Sequence, residues 1–253
     1  MIFLISPAKT LDESPLDIKD YSLPRLLSES NGLVDVLKKK SKRQLKTLMS
    51  VSDQIAEVNV ERFQSFSTPF LPENAKPAIY SFKGDVYRGL EAETLSEKEI
   101  EYAQKHIRIL SGLYGILKPL DLMQPYRLEM GTRLKIRRKK NLYEYWDGKI
   151  TELINQDIEQ IKQPVIINLA SNEYFKSVKK KDLNGRLISI GFKENRNGVL
   201  KMISFNAKRA RGLMCRWAAK HNAQKPEDLL EFDYEDYKFN PELSDDNNWL
   251  FTR

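Results

Sequence analysis

Lys208-Arg209-Ala210-Arg211 is the cationic cluster whose position says most about chemistry. It follows Ile203-Ser204-Phe205 and falls near the start of a helical pattern, where free backbone N–H groups attract anions and the helix dipole disfavours cations. Positive side chains placed against that dipole point to an anionic partner or to acidic neighbours. Three more cations, Lys9, Lys83 and Arg127, stand just past segments that could end a strand or a turn, and Asn168, Ser171, Glu173 and Tyr174 follow the apolar run at Val165. Open α/β sheets bind ligands beyond the carboxyl ends of their strands. If these positions converge, they form a mixed-charge cleft able to hold a small anionic ligand through a phosphate or carboxylate, with Glu173 or Asp85 available as general base. A structural ion-pair network is the equally ordinary outcome.

A second kind of anion site is suggested by Leu110-Ser111-Gly112-Leu113-Tyr114-Gly115-Ile116-Leu117. Small residues in a tight turn let backbone N–H groups approach a phosphate, and Lys118 adds charge. Ser111, Gly112, Tyr114, Gly115 and Lys118 are therefore candidate nucleic-acid contacts, together with Lys208, Arg209 and Arg211. The turn is similar to the hairpin of helix-hairpin-helix DNA binders, although its glycines are three apart where those are usually two apart. An ordinary helix C-cap fits the same residues.

The charge balance agrees with a polyanionic partner without requiring one: 42 Lys and Arg against 35 Asp and Glu give a net charge of +7. The excess is concentrated in three runs, from Lys38 to Lys46, from Arg133 to Lys140, and from Lys176 to Lys181. Such runs are more often solvated faces than sites. His106 and His221 are far apart and lack Cys or carboxylate companions at ligand spacing, so no metal site is expected. Cys215 is the only cysteine, beside Met214 and Trp217, and is expected in the core. No phosphate-binding or dinucleotide glycine fingerprint occurs, so no cofactor is expected. The N-terminus is apolar for only a few residues before Asp12 and Glu13, unlike a signal peptide, and no apolar run approaches the roughly 18 residues a membrane helix needs. A cytoplasmic location without membrane contact is the expectation.

The elements that would position these groups follow from periodicity. Ile2–Ser6 reads as a buried first strand, and residues 26–63 as two or three amphipathic helices. Residues 78–82 are a strand or a buried helix start. Ser96 and Glu99 form a capping box for a helix reaching about Leu110. A helix covers 146–161, and 164–169 is the clearest strand. Residues 188–205 read as a β-hairpin, 208–221 as a helix, and 226–246 as a packed acidic flank. With no linker or composition break, 1–253 reads as one domain of the α/β (or α+β) class: a central mixed sheet flanked by helices, with a helix-hairpin-helix-like element near residues 97–125.

Long strings in order along the chain also carry a family resemblance. Leu4-Ile5-Ser6-Pro7-Ala8-Lys9-Thr10-Leu11, Phe82-Lys83-Gly84-Asp85-Val86-Tyr87, Leu110-Ser111-Gly112-Leu113-Tyr114-Gly115 and the run from Pro119 to Gly131 closely resemble the bacterial peroxide-stress protein YaaA family. So do Asn168-Leu169-Ala170-Ser171, Glu173-Tyr174-Phe175, Ser204-Phe205 and Lys208-Arg209-Ala210-Arg211-Gly212. The resemblance implies a cytosolic protein that protects against hydrogen peroxide by limiting free intracellular iron. It also implies binding of double-stranded DNA through a basic cleft and a helix-hairpin-helix-like element, here residues 111–118. The competing expectation is an enzyme acting on a small phosphorylated or carboxylated substrate in the strand-end cleft.

Overall fold

Met1 through Ile5 are all buried, the condition of a strand in the middle of a covered sheet. In the computed structural model, which describes residues 1–253, this segment forms β1 (Ile2–Ile5). Three helices then fill the periodic stretch: α1 (Leu27–Lys38), α2 (Lys42–Met49) and α3 (Asp53–Ser65). Ser41 and Ser52 start α2 and α3 because each hydroxyl accepts a backbone N–H three residues on, and Gln44 completes a capping box with Ser41. The ambiguous 78–82 stretch is a single helical turn, α4 (Ala78–Ser81), followed by α5 (Asp85–Leu90). Two-residue ribbons pair Thr10 with Lys83 and Lys76 with Met123, tying the first loop to this region.

The capping box at Ser96 and Glu99 opens α6 (Glu97–His106) as expected. That helix ends before the expected Leu110, because the β-branched, wholly buried Ile107–Ser111 is strand β2. A tight turn leads to β3 (Gly115–Leu117). Residues 107–125 thus hold strands and turns, and the second helix of a helix-hairpin-helix element is not there. The expected helix at 146–161 is two, α7 (Leu142–Trp146) and α8 (Lys149–Ile158), broken where Asp147 takes φ +43°. Then come β4 (Val165–Asn168), the short α9 (Asn172–Phe175), β5 (Arg186–Arg196) and β6 (Val199–Lys201), the last two forming the expected hairpin with a turn at Asn197-Gly198. Helix α10 (Ser204–Lys220) follows directly. The acidic flank folds into short helical turns, β7 (Lys238–Phe239) and β8 (Asn248–Thr252).

The eight strands form one mixed sheet in the order β7-β8-β5-β4-β1-β2-β3, with β6 on β5. The five central strands run parallel, and β7 and β3 are antiparallel edges. This is an α/β fold. Parallel strands need crossovers that cover the sheet, and a single cluster of 68 buried residues from Met1 to Phe251 lies between the layers. Helix α10 locks onto α5 through glycines: a Cβ on Gly212 would lie 1.7 Å from the Val86 carbonyl, and one on Gly89 would lie 2.2 Å from the Arg209 carbonyl. No helix is long and apolar enough to cross a membrane. Because β1, β2, β4 and β5 are parallel, their carboxyl ends share one edge. That edge carries Ser6, Ser111 and Asn168, each among the few buried polar residues.

Candidate functional site

The carboxyl ends of β1 and β4 are joined by hydroxyls and amides. Ser171 N donates to Ser6 Oγ at 2.9 Å, and the Ser6 and Ser171 hydroxyls lie 3.3 Å apart. Asn168 turns its Oδ1 back to the Ala170 N–H at 3.0 Å, with Nδ2 3.5 Å from Ser189 Oγ on β5. Tyr87, from α5, donates to the Ser6 carbonyl at 3.1 Å. Tyr126 shares a 2.7 Å hydrogen bond with Ser111. Tyr174 is buried beside these groups, and burial, then the Tyr126 phenol and the carboxylates of Glu173 and Glu129, push its own phenol far above the ordinary range. The phenols of Tyr87 and Tyr126 are held neutral for the same first reason.

The predicted cations of the cleft meet, but they meet carboxylates. Lys9 Nζ and Arg127 Nη2 both sit 3.1 Å from Glu129 Oε1. Lys83, held by its ribbon pairing with Thr10, turns its ammonium to Glu93 at 2.5 Å and Asp12 at 3.4 Å. Glu173 is exposed, and its Oε1 accepts the Gly131 N–H at 2.9 Å, so it does not face a buried proton acceptor's task. Asp85 faces Arg88 at the start of α5.

The glycine turn is corrected more sharply. Ser111, Gly112, Leu113, Tyr114 and Gly115 are all buried. Tyr114 N donates to Ser111 Oγ, and the Gly112 carbonyl accepts Trp146 Nε1 at 3.0 Å. Gly112 is glycine because a Cβ would lie 2.1 Å from the Leu128 carbonyl, and Gly115 because its φ is +69°. Both serve packing and turn geometry, and no N–H of the turn faces a phosphate from outside. Lys118, half-buried next to it, uses its amide on Asp121. The α10 cluster does not act as one patch either. Lys208 is exposed, Arg209 pairs with Glu235 at 2.5 Å, and Arg211 is half-buried.

Where the structure does gather free positive charge is the run from Arg133 to Lys140. Thr132, Leu134 and Ile136 are buried, and Arg133, Lys135 and Arg137 alternate with them outward, as an extended backbone requires. A tight turn closed by the Ile136–Lys139 bridge then presents Arg137, Arg138 and Lys139, with Lys140 following. These six cations are exposed, and none lies within 4 Å of a carboxylate, whereas Lys42 and Lys46 of the first run are paired with Glu57 and Asp53. Folding also brings the third run alongside: Lys139 and Lys179 both act on Asp147, and Lys176 stands over the Tyr143 ring of α7 at 5.6 Å. Sequence pattern had a usable signal here, the strict alternation of cation and apolar residue from Arg133 to Arg137, which an ordinary solvated loop lacks.

The sequence profile described as peroxide stress protein YaaA matches residues 1–243. The chain belongs to that family. A UPF0246 protein of Neisseria gonorrhoeae is 52% identical over all of this chain and 98% of its own length. UPF0246 proteins of Chromobacterium violaceum and Hahella chejuensis are 51% and 48% identical, each over all of this chain and 99% of their own length. As a member of the YaaA family, the chain is a peroxide stress protein whose residues offer few redox or metal ligands in one place. No three His, Cys, Asp or Glu side chains stand together as a metal site would require. His106 bonds the Met1 carbonyl and stacks on Tyr102, and His221 bonds the Trp217 carbonyl and stacks on Trp217. Cys215 is buried, and burial pushes its thiol far above the range in which thiolates form.

Proposed function

We propose that this YaaA-family protein works in the cytoplasm by binding double-stranded DNA, and that the arm from Arg133 to Lys140 with the neighbouring Lys176–Lys181 segment is the face that meets it. The observation that carries this is the set of six exposed arm cations with no carboxylate within 4 Å. Phosphate contacts draw on cations that are not already neutralised, because affinity comes from releasing the counterions of the nucleic acid. The arm is stiffened by Thr132, Leu134 and Ile136 in the core, so its cations are displayed at fixed spacing. Contacts from flexible exposed side chains to phosphates carry no base information, and sequence-tolerant binding is the expectation.

Binding of a fluorescent duplex followed against salt tests this. The logarithm of the affinity should fall linearly with the logarithm of salt concentration, with a slope matching roughly four to six phosphate contacts at about 0.9 per contact. A flat salt dependence would sink the proposal. Protection of DNA against peroxide would follow from occupancy of the duplex. An effect on free iron, which the family resemblance implies, draws no support from a ligand set on this chain.

A further inference from the structure

We propose that Met202 is a modification site for peroxide: hydrogen peroxide oxidises its thioether to the sulfoxide and so turns an exposed apolar patch at the start of α10 polar. This goes beyond DNA binding and does not depend on it, since the patch and the arm share no residue.

The site follows by elimination over every sulfur in the chain, which has six methionines and one cysteine. Met1, Met49, Met123, Met130 and Met214 are each at most 9% exposed, while Met202 is 62% exposed. A thiol attacks peroxide as its thiolate, which burial denies to Cys215. A thioether needs no ionisation and needs only to be reached. Met202 is therefore the sulfur that an oxidant in solution meets first.

Its surroundings mark it as more than a stray surface residue. Met202 is the most exposed of all the large apolar side chains, and Phe205 and Val199, at 61% and 55%, come next. All three fall in the short stretch from Val199 to Phe205. Single apolar residues scattered over a surface are ordinary, but the three most exposed ones gathered in one stretch are not. Nor is the stretch a frayed end. Strand β6 pairs with β5 from Val199 to Lys201, with Lys201 opposite Glu194. The buried Glu194 accepts in turn from Asn206, in the first turn of α10, and from Arg253 at 2.9 Å. One residue thereby holds the chain on both sides of Met202, and a fixed backbone displays the thioether.

The reaction closes without a further reactant. The sulfur lone pair attacks one peroxide oxygen, an S–O bond forms and the O–O bond breaks. The departing hydroxide takes the proton left on the transferred oxygen and leaves as water. Sulfur loses two electrons and peroxide gains them. The product places a strong hydrogen-bond acceptor where an apolar group stood, and a sulfoxide reductase can restore the thioether. At Met202 the new oxygen meets water. On Met130 or Met214, both fully buried, it would stand unpartnered among apolar neighbours at a large cost. Met202 is thus the methionine whose oxidation the fold tolerates.

The full-length protein should be treated with graded hydrogen peroxide, folded or in urea, then digested with trypsin and read by mass spectrometry. Cleavage after Lys201 and Lys208 isolates Met202 from the other methionines. In the folded protein its peptide should gain one oxygen more than about tenfold faster than any other methionine peptide, because reaction follows exposure. In urea that preference should vanish. At the dose that converts Met202, the Cys215 thiol should still titrate in full after unfolding. The melting midpoint should be unchanged, and the protein should leave a hydrophobic-interaction column earlier. Met202→Leu should fold, keep the late elution and be unmoved by that dose. Oxidation of a buried methionine or of Cys215 as fast as Met202 would overturn the proposal. So would a Met202 sulfoxide that melts well below the untreated protein, or one that elutes with it.

Discussion

Two basic regions of this molecule look alike in sequence and behave oppositely once folded. Around β8 and the start of α10, three arginines share two carboxylates: Arg253 reaches Glu194 at 2.9 Å and Glu235 at 3.3 Å, Arg209 reaches Glu235, and Arg196 reaches Glu194 at 2.6 Å. In the arm from Arg133 to Lys140, six cations reach none. The difference is that the acidic flank and β5 supply partners to the first region, while no acidic residue occurs from Gly131 to Tyr143. Density of positive charge is therefore a poor guide to a binding face. What matters is whether folding has already used the charge, and in the first region it has.

The largest effect that follows is on the arm. Replacing Arg133, Lys135, Arg137 and Arg138 together by Glu should weaken duplex binding by about 4 × 10³-fold at 0.1 M salt, each of the four phosphate contacts contributing about a factor of eight relative to 1 M salt. The salt slope should drop by about 3 to 4. Arg209→Ala, from the paired region, should leave the slope unchanged. Equal losses from both substitutions would erase the distinction between the regions. Circular dichroism of the arm variant should match the unsubstituted protein, because the buried Thr132, Leu134 and Ile136 are untouched.

Asp157 is the buried limit of the paired kind. It accepts both Nη atoms of Arg25 at 2.9 Å and Nε of Arg108 at 2.6 Å, and Arg108 is almost fully buried. Asp157→Ala should cost about 4 kcal/mol in urea unfolding, since it strands a buried guanidinium. Burial alone would raise the Asp157 carboxyl, but the hydrogen bond and charge of Arg108, then those of Arg25, hold it below the usual carboxylate range. Its folded pKa is depressed, so its contribution is fully present above the unfolded value of about 3.9 and is lost as pH falls through the lower folded value. Acid titration of stability should therefore show less loss below about pH 4 in Asp157→Ala than in the unsubstituted protein. Parallel curves would mean that the triad is not ionic.

How far the sequence carried depended on whether the deciding contact was local. The cap at Ser96 acts within three residues, and its helix begins where the pattern says, whereas the equally local caps at Ser41 and Ser52 divide a stretch the pattern resolved only into two or three helices. β1 and β4 announce themselves by unbroken apolar runs. The turn at Gly112 misled because its meaning lies in Leu128, sixteen residues on, whose carbonyl leaves no room for a Cβ. Likewise α6 stops at His106 because Ile107 pairs with Phe3, a contact that no window around residue 107 contains. β8 was hidden by acidic neighbours, though Trp249 and Phe251 alternate inward. Of the cleft residues, Lys9 and Arg127 do converge, but Glu129 between them was invisible as their partner until the chain folded. Arg211 was legible as a cation and not as a half-buried one, because helical facing relative to α5 decides that.

The first basic run, at Lys38–Lys46, stands between the two extremes and gives the smallest effect. Lys42 reaches Glu57 at 2.9 Å and Lys46 reaches Asp53 at 2.6 Å, both across the junction of α2 and α3 and both in solvent, while Lys38 donates to the Phe66 carbonyl. Exposed pairs of this kind add little to stability, because water and salt compete for each charge and ordering two long side chains costs entropy. The junction is held instead by buried Leu45, Met49, Ala56 and Phe63. Lys42→Ala with Lys46→Ala should therefore leave both the urea midpoint and the salt slope of duplex binding within replicate scatter. A lowered salt slope with an unchanged midpoint would move this run into the class of the arm, and would show that a cation paired in solvent can still be surrendered to a phosphate.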